Sequence, residues 1–361
     1  MKMRKIVCSF MISVVCFMTA ISGVSATSYD TSKINAAYSK VVEYYKNNNN
    51  LNNADKILAV ESLGLEAESN QFDTSSANLS STSLSKKIVT EVLLGVDPTK
   101  DKETLESQID ENGNVEGSWG ASSDVWTLYA LYVTSSEKTN LIANKLNDEL
   151  AASSVWGYEW GGTYYADYDT TGWVIEGLAV VNKEKYATTI NKAIDYIKNN
   201  TTMTTTGWVT ADNVDTQSQV LEGMFAYDTN ALLNDSYTVH PVDCLLNTQL
   251  SDGSFPSGYN AEYTTAEVAK TLGTYKNGSV IIKAKKAYDK MMNPEQPDNT
   301  KPAQPTDTKK DSQSTNKVET TNQKTTSVKT GDETNVVIFV SLSMVSGGLF
   351  LVLRKEYERV H

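Results

Sequence analysis

Residues 167–181 read DYDTTGWVIEGLAVV. The same pattern, a short polar start followed by a broadly apolar helix, occurs three more times. The copies are SSDVWTLYALYV (122–133), NVDTQSQVLEGMFAY (213–227) and AEYTTAEVAKTLGTY (261–275). In this alignment Asp124, Asp169, Asp215 and Tyr263 are equivalent and recur about every 46 residues, the period of helical-pair repeats. ILAVESLGLEAE (57–68) reads as a degraded further copy.

Between these starts lie second helices, KTNLIANKLNDEL (138–150), KYATTINKAIDYIKNN (185–200) and SVIIKAKKAYDKMM (279–292). Each has one apolar face and one face of Lys, Asn or Asp, as an outer helix should. The repeated starts are apolar over more of their circumference, as inner helices should be. TSKINAAYSKVVEYYKN (31–47) and LSKKIVTEVLLG (84–95) supply two more outer helices by the same criterion. The pattern predicts an all-α fold over residues 27–293: an α/α toroid of about five to six inner/outer helix pairs.

LLNTQLSDGSFPSG (245–258) resembles the Gln-x-x-Asp-Gly-Ser-Phe/Trp turn of the terpenoid cyclase and protein prenyltransferase toroids, and EGSWG (116–120) is a looser copy. Together with DTTGWVIEGL and DTQSQVLEGM, the turn is closest to bacterial surface modules similar to the α-domain of transcobalamin and intrinsic factor, from about Gln108 to Tyr275. The resemblance implies a toroid. It does not imply cobalamin, because the carriers' β-domain and disulfides have no counterpart here. Nor does it imply cyclase chemistry. With Asp169-Thr170 laid on the cyclase Asp-x-Asp-Asp-Thr motif, the acids fall on Ala166, Tyr168 and Asp169, and a phenol at the proton donor's position cannot protonate an alkene. Prenyltransfer would need a zinc site and basic diphosphate ligands. The one His–Cys pair, His240 and Cys244, lies at the start of an outer helix, so neither metal nor cofactor is expected.

Asp169 and Asp215, each followed by Thr, read as N-caps at the ring's rim. Seven residues further, about two helical turns, come Glu176 and Glu222, with Lys270 in the same register after Tyr263. Two carboxylates on neighbouring inner helices would suit glycoside hydrolysis. The alternative is a buried Glu–Lys network, with Gly177 and Gly223 permitting close helix approach. Aromatics crowd the loops that lead into the inner helices: SVWGYEWGGTYYADY (154–168) holds Trp156, Trp160, Tyr164 and Tyr165. Such loops stack sugar rings or plug a barrel end. The candidate ligand-binding set is Asp124, Trp126, Trp156, Trp160, Tyr165, Asp167, Asp169, Trp173, Asp215 and Tyr263.

The ends carry targeting signals. Residues 1–26 have the basic start, apolar run and Val-Ser-Ala end of a secretory signal peptide. Its removal takes Cys8 and Cys16, leaving Cys244 alone and no internal disulfide. Residues 294–326 form a Pro/Thr/Lys-rich linker expected to be disordered. In 327–361, SVKTG precedes an uncharged span (336–353) and a basic tail, which predicts a transmembrane helix with its C-terminus inside. The order resembles the sorting signal of Gram-positive surface proteins, with Ser327-Val328 where the usual Leu-Pro stands. That resemblance implies cleavage by a sortase between Thr330 and Gly331, attachment to peptidoglycan and an extracellular, wall-anchored domain. The chain's net charge is −12, and its only arginines are Arg4, Arg354 and Arg359. An acidic domain without the bidentate Arg clamp is a poor match for nucleic acid, diphosphates or uronates. A glycan or another neutral or cationic small molecule fits better.

Overall fold

The computed structural model describes residues 29–68, 79–150, 154–160, 162–205, 207–209, 213–235, 237–258 and 260–294, without the side chains of 159 and 160. The signal peptide, the linker, Thr330, Gly331 and the apolar span lie outside the described residues. Among those described, no helix is long and apolar enough to cross a membrane.

The domain is mostly helical. Its helices are α1 (Thr31–Asn47), α2 (Ala54–Ser62), α3 (Ser81–Leu93), α4 (Thr99–Ser107), α5 (Ala121–Val133), α6 (Thr139–Glu149), α7 (Tyr168–Asn200), α8 (Val214–Asn234), α9 (Pro241–Leu246), α10 (Ala261–Asn277) and α11 (Val280–Met292). Helices α7 and α8 each fold back on themselves, at Asn182 (φ −166°, ψ 91°) and Asp228 (φ −156°, ψ 90°). At both turns the polar side chain caps the returning segment: Asn182 Oδ1 accepts from Lys185 N at 2.9 Å and Asp228 Oδ1 from Ala231 N at 2.9 Å. One repeat is thus an inner segment, a capped reversal and an outer segment.

The inner helices contact one another in a circuit that returns to its start: α2 on α3, α3 on α5, α5 on α7, α7 on α8, α8 on α10, and α10 on α2. Two places required glycine. A Cβ on Gly172 would meet Gln219 O at 2.3 Å, and one on Gly223 would meet Gly172 O at 2.3 Å, so α7 and α8 touch backbone to backbone. Gly177, expected to serve this approach, meets only side chains, the nearest at 3.1 Å. In the 245–258 turn, Gly253 (φ +94°) lies against Lys40 O, where a Cβ would come to 2.3 Å.

One outer assignment is corrected. Helix α3, read as outer from its Ser-Lys-Lys sequence, lies between α2 and α5 with both lysines buried. They are tolerated because Lys86 pairs with Asp55 at 3.2 Å and Lys87 with Glu91 at 2.5 Å and with Asp101. Helix α11 buries one face, Val280, Ile281, Ala284 and Tyr288, and packs across α2, α3, α5 and α10. Its Lys283 donates to Glu61 O at 2.6 Å, at the end of α2.

The chain is not wholly helical. GYEW (Gly157–Trp160, β1) and TYYA (Thr163–Ala166, β2) pair antiparallel, with Tyr158 opposite Tyr165 and Trp160 opposite Thr163. Two successive glycines in the sequence between short aromatic-rich runs are a hairpin signal in their own right.

Candidate functional site

Two regions hold the residues singled out by sequence: the end where α5, α7, α8 and α10 begin, and the buried core between these helices. At the rim the caps sit two residues earlier than expected. Asp167, not Asp169, caps α7, accepting from Asp169 N at 3.1 Å and Thr170 Oγ1 at 2.5 Å. Asn213, not Asp215, caps α8, accepting from Thr216 N at 3.3 Å. Asn260 caps α10 from Tyr263 N at 3.1 Å. Helix α5 starts after Gly120 with no side-chain cap, which puts Asp124 at the fourth helical position, where Asp169 and Asp215 are at the second of theirs. The 46-residue period is therefore real in the caps, and Asp124 does not share a position with Asp169 and Asp215.

The displaced acids are buried instead of rimming a mouth. Asp169 lies at the α7–α8 contact beside Thr216; burial, then the charges of Asp167 and Asp215, hold its carboxyl well above the usual range. Asp124 is fully buried, bonded to Ser118 Oγ at 2.7 Å and ion-paired to Lys145. Asp215 and Tyr263 are buried as well, Tyr263 OH accepting from Gln219 Nε2 at 3.4 Å.

The tryptophans divide in the same way. Trp126 and Trp173 face each other edge-on in the core at 6.2 Å, with Lys86 Nζ 4.5 Å from the Trp126 ring centroid. Trp156 is buried and donates its indole N–H to Leu146 O at 2.7 Å. Its backbone is pinned by Thr171 Oγ1 (3.1 Å), just as Phe255 N is by Thr265 Oγ1 (2.8 Å), an equivalence between repeats invisible in the letters. The side chain of Trp160 lies outside the description; its backbone ends β1.

What remains exposed is the hairpin and one loop. Tyr158, Tyr164 and Tyr165 are 43–46% exposed and Trp119 is 53% exposed. Tyr158 and Tyr165 stack across the hairpin, ring centroids 5.6 Å apart and planes 20° apart. Strand β1 packs against α5 and α7, and Trp119 stands just before α5, so these rings gather at the helix-start end. Of the four, only Tyr165 was in the sequence-derived set. Alternation around the Gly-Gly turn would have revealed Tyr158 as its cross-strand partner.

In the core, Glu176 and Glu222 are each 1% exposed. Glu176 accepts from Tyr129 OH at 2.8 Å. Glu222 pairs with Lys270 at 2.7 Å and accepts from Thr274 Oγ1 at 3.2 Å. Glu267, a third buried carboxylate, was not foreseen; burial foremost holds it well above the ordinary range, despite nearby Lys270. Burial and the charge of Glu176 likewise lift Glu222 to about 8, against the pull of Lys270. Glu222 and Glu267 both feel the one ammonium of Lys270, yet burial keeps both carboxyls above their ordinary range. Glycoside hydrolysis needs carboxylates flanking a space that a sugar and water can enter. Glu176 and Glu222 are instead closed into the packing, Glu222 on Lys270 and Glu176 on Tyr129. His240 and Cys244 are similarly committed, to Leu232 O (3.2 Å) and Thr204 O (2.9 Å).

Comparison with known proteins found no matching family model, curated protein or solved structure.

Proposed function

We propose that the protein is a surface-anchored binding or adhesive module, an α/α toroid that engages its ligand at the rim and not in the lumen. The carrying observation is the exposed Tyr158–Tyr165 stack, with Tyr164 and Trp119 at the same end, above a core whose carboxylates have almost no exposure. Flat, exposed aromatic faces on a short rigid hairpin suit the apolar face of a sugar ring or another neutral or cationic small molecule. The circuit of inner-helix contacts and the 46-residue spacing of the caps support the toroid. The signal peptide, the Thr330-Gly331 motif and the apolar span support export, sortase cleavage and attachment to peptidoglycan through the linker.

A glycan array probed with the purified domain, followed by titration calorimetry on the hits, tests the binding reading. Replacing both Tyr158 and Tyr165 by Ala should weaken a genuine rim ligand at least about tenfold. Unchanged affinity in that variant would sink the rim site. A structural spacer without a ligand is the second reading, favoured by the filled ring core, and an array without hits selects it. Anchoring is tested separately: Thr330→Ala should move the protein from the wall fraction to the membrane fraction.

A further inference from the structure

Where the described helices have a side-chain cap, it is an Asp, Asn or Ser at every start but one. Helix α9 begins after His240, whose Nδ1 accepts from Val242 N at 3.2 Å while its Nε2 stands 3.2 Å from Leu232 O. A carbonyl can only accept, so Nε2 carries the proton and Nδ1 is the bare nitrogen. The ring is boxed in: Tyr29 lies against it with centroids 4.2 Å apart, and Tyr237 meets it edge-on at 5.0 Å.

His240 is also where the start of the domain is fastened. Just ahead of α1, Tyr29 donates its backbone N–H to Leu233 O at 3.1 Å and its hydroxyl to Asp243 Oδ1 at 2.7 Å. Lys33, in the first turn of α1, reaches the same Asp243 oxygen at 2.9 Å. The histidine is only half-buried, so protons can reach it.

We propose that His240 is an acid-released clasp: a proton on Nδ1 removes the cap of α9 and frees the segment ahead of α1 from the α8–α9 corner. Protonation turns Nδ1 from an acceptor into a donor aimed at Val242 N–H, so two donors face each other across 3.2 Å. The new charge also lies at the positive end of α9.

Burial foremost holds the ring below its ordinary range. The bond to Leu232 O and the charges of Asp243 on α9 and Asp235 in the α8–α9 connection pull the other way, and Lys33 sides with burial. Lys198 of α7 pairs with Asp235, and Cys244 stays a neutral thiol, pushed by burial to about 11. A closed clasp therefore resists a proton that an open one accepts. It holds fully above about pH 6.5 and loosens as the pH falls below that value. Ser279 offers the contrast within the same chain: it caps α11 in the same way, Oγ accepting from Ile281 N at 3.1 Å, with a group that does not titrate.

Hydrogen–deuterium exchange of the folded full-length chain, read by mass spectrometry and corrected for the intrinsic effect of pH, tests the clasp. The readout must be local, because the buried carboxylates shift global stability the other way over the same range. From pH 7 to pH 5, opening of segments 29–34 and 240–246 should rise about fivefold, and segment 279–284 should not change. His240→Asn keeps a capping side chain, loses the titrating nitrogen and leaves Asp243, Asp235 and Lys33 in place, so the rise should vanish. A rise that persists in that variant would overturn the proposal. So would a wild-type clasp that opens equally at both pH values, or an equal rise in segment 279–284. The wild-type comparison decides by itself should the variant fail to fold.

Discussion

The buried core between the helices and the exposed hairpin use the same residue types for opposite purposes. In the core, Trp126, Trp173 and Tyr129 are buried with Glu176, Glu222 and Lys270; Tyr129 OH donates to Glu176 and Lys270 pairs with Glu222. At the rim, Tyr158, Tyr165 and Trp119 present their rings to solvent. An aromatic or an acid is therefore no guide to a site until its burial is known. The difference teaches that many of this protein's chemistry-bearing letters are structural and that its exposed large aromatics are Trp119 and the hairpin tyrosines.

Substitutions should separate the two regions cleanly, the largest effect coming from the core. Lys270→Met removes the ammonium that Glu222 and Glu267 share and should destabilise the fold by about 3–5 kcal/mol. Pairing it with Glu222→Gln should recover part of that loss; urea denaturation of the single and double variants measures both. A double variant no more stable than the single one would show that the network is not coupled. Gly172→Ala drives a Cβ into the Gln219 carbonyl and should cost about 1–3 kcal/mol. Gly177→Ala, which meets only side chains, should cost less, and equal losses would mean that the α7–α8 contact is not as tight as drawn.

The pH dependence sharpens the same contrast. Glu222 titrates at about 8 in the folded protein against 4.5 as its ordinary value, and Asp169 and Glu267 are raised in the same direction. In this window the folded state binds more protons than the unfolded chain. The stabilisation is thus complete below the ordinary carboxylate range and is lost as pH rises through about 8. Thermal melts should fall steadily from pH 5 to pH 8, and Glu222→Gln should flatten the slope. The smallest stability effect belongs to the rim. Tyr158→Ala should change stability by no more than about 0.5 kcal/mol; a much larger loss would make the hairpin a plug and not a binding surface.

Much of the architecture was legible because it rests on local periodicity. Inner and outer segments, the Gly-rich turn around Gly253 and the 46-residue spacing all reflect helix faces and caps that short windows contain. The failures share one cause. Ser85, Lys86 and Lys87 marked α3 as a surface helix because a lysine's letter does not reveal whether a carboxylate from another helix awaits it. Asp169 and Asp215 looked like caps because Asp-Thr before an apolar run satisfies the capping rule, yet Asp167 and Asn213 sit two residues nearer the loop. GYEWGGTYYA was read as loop because the surrounding helical pattern outweighed a hairpin signal that was present.

By itself the sequence determined the helical repeat, its period and one of the two glycines, Gly223, at the closest backbone contact. These follow from what each residue does to its own few neighbours. Only the tertiary structure decided which acids are exposed, that Glu222 answers to Lys270 rather than to a ligand, and that Tyr158 stands opposite Tyr165 on an open face. Those properties depend on partners tens of residues away, and on whether water reaches them once the helices have packed.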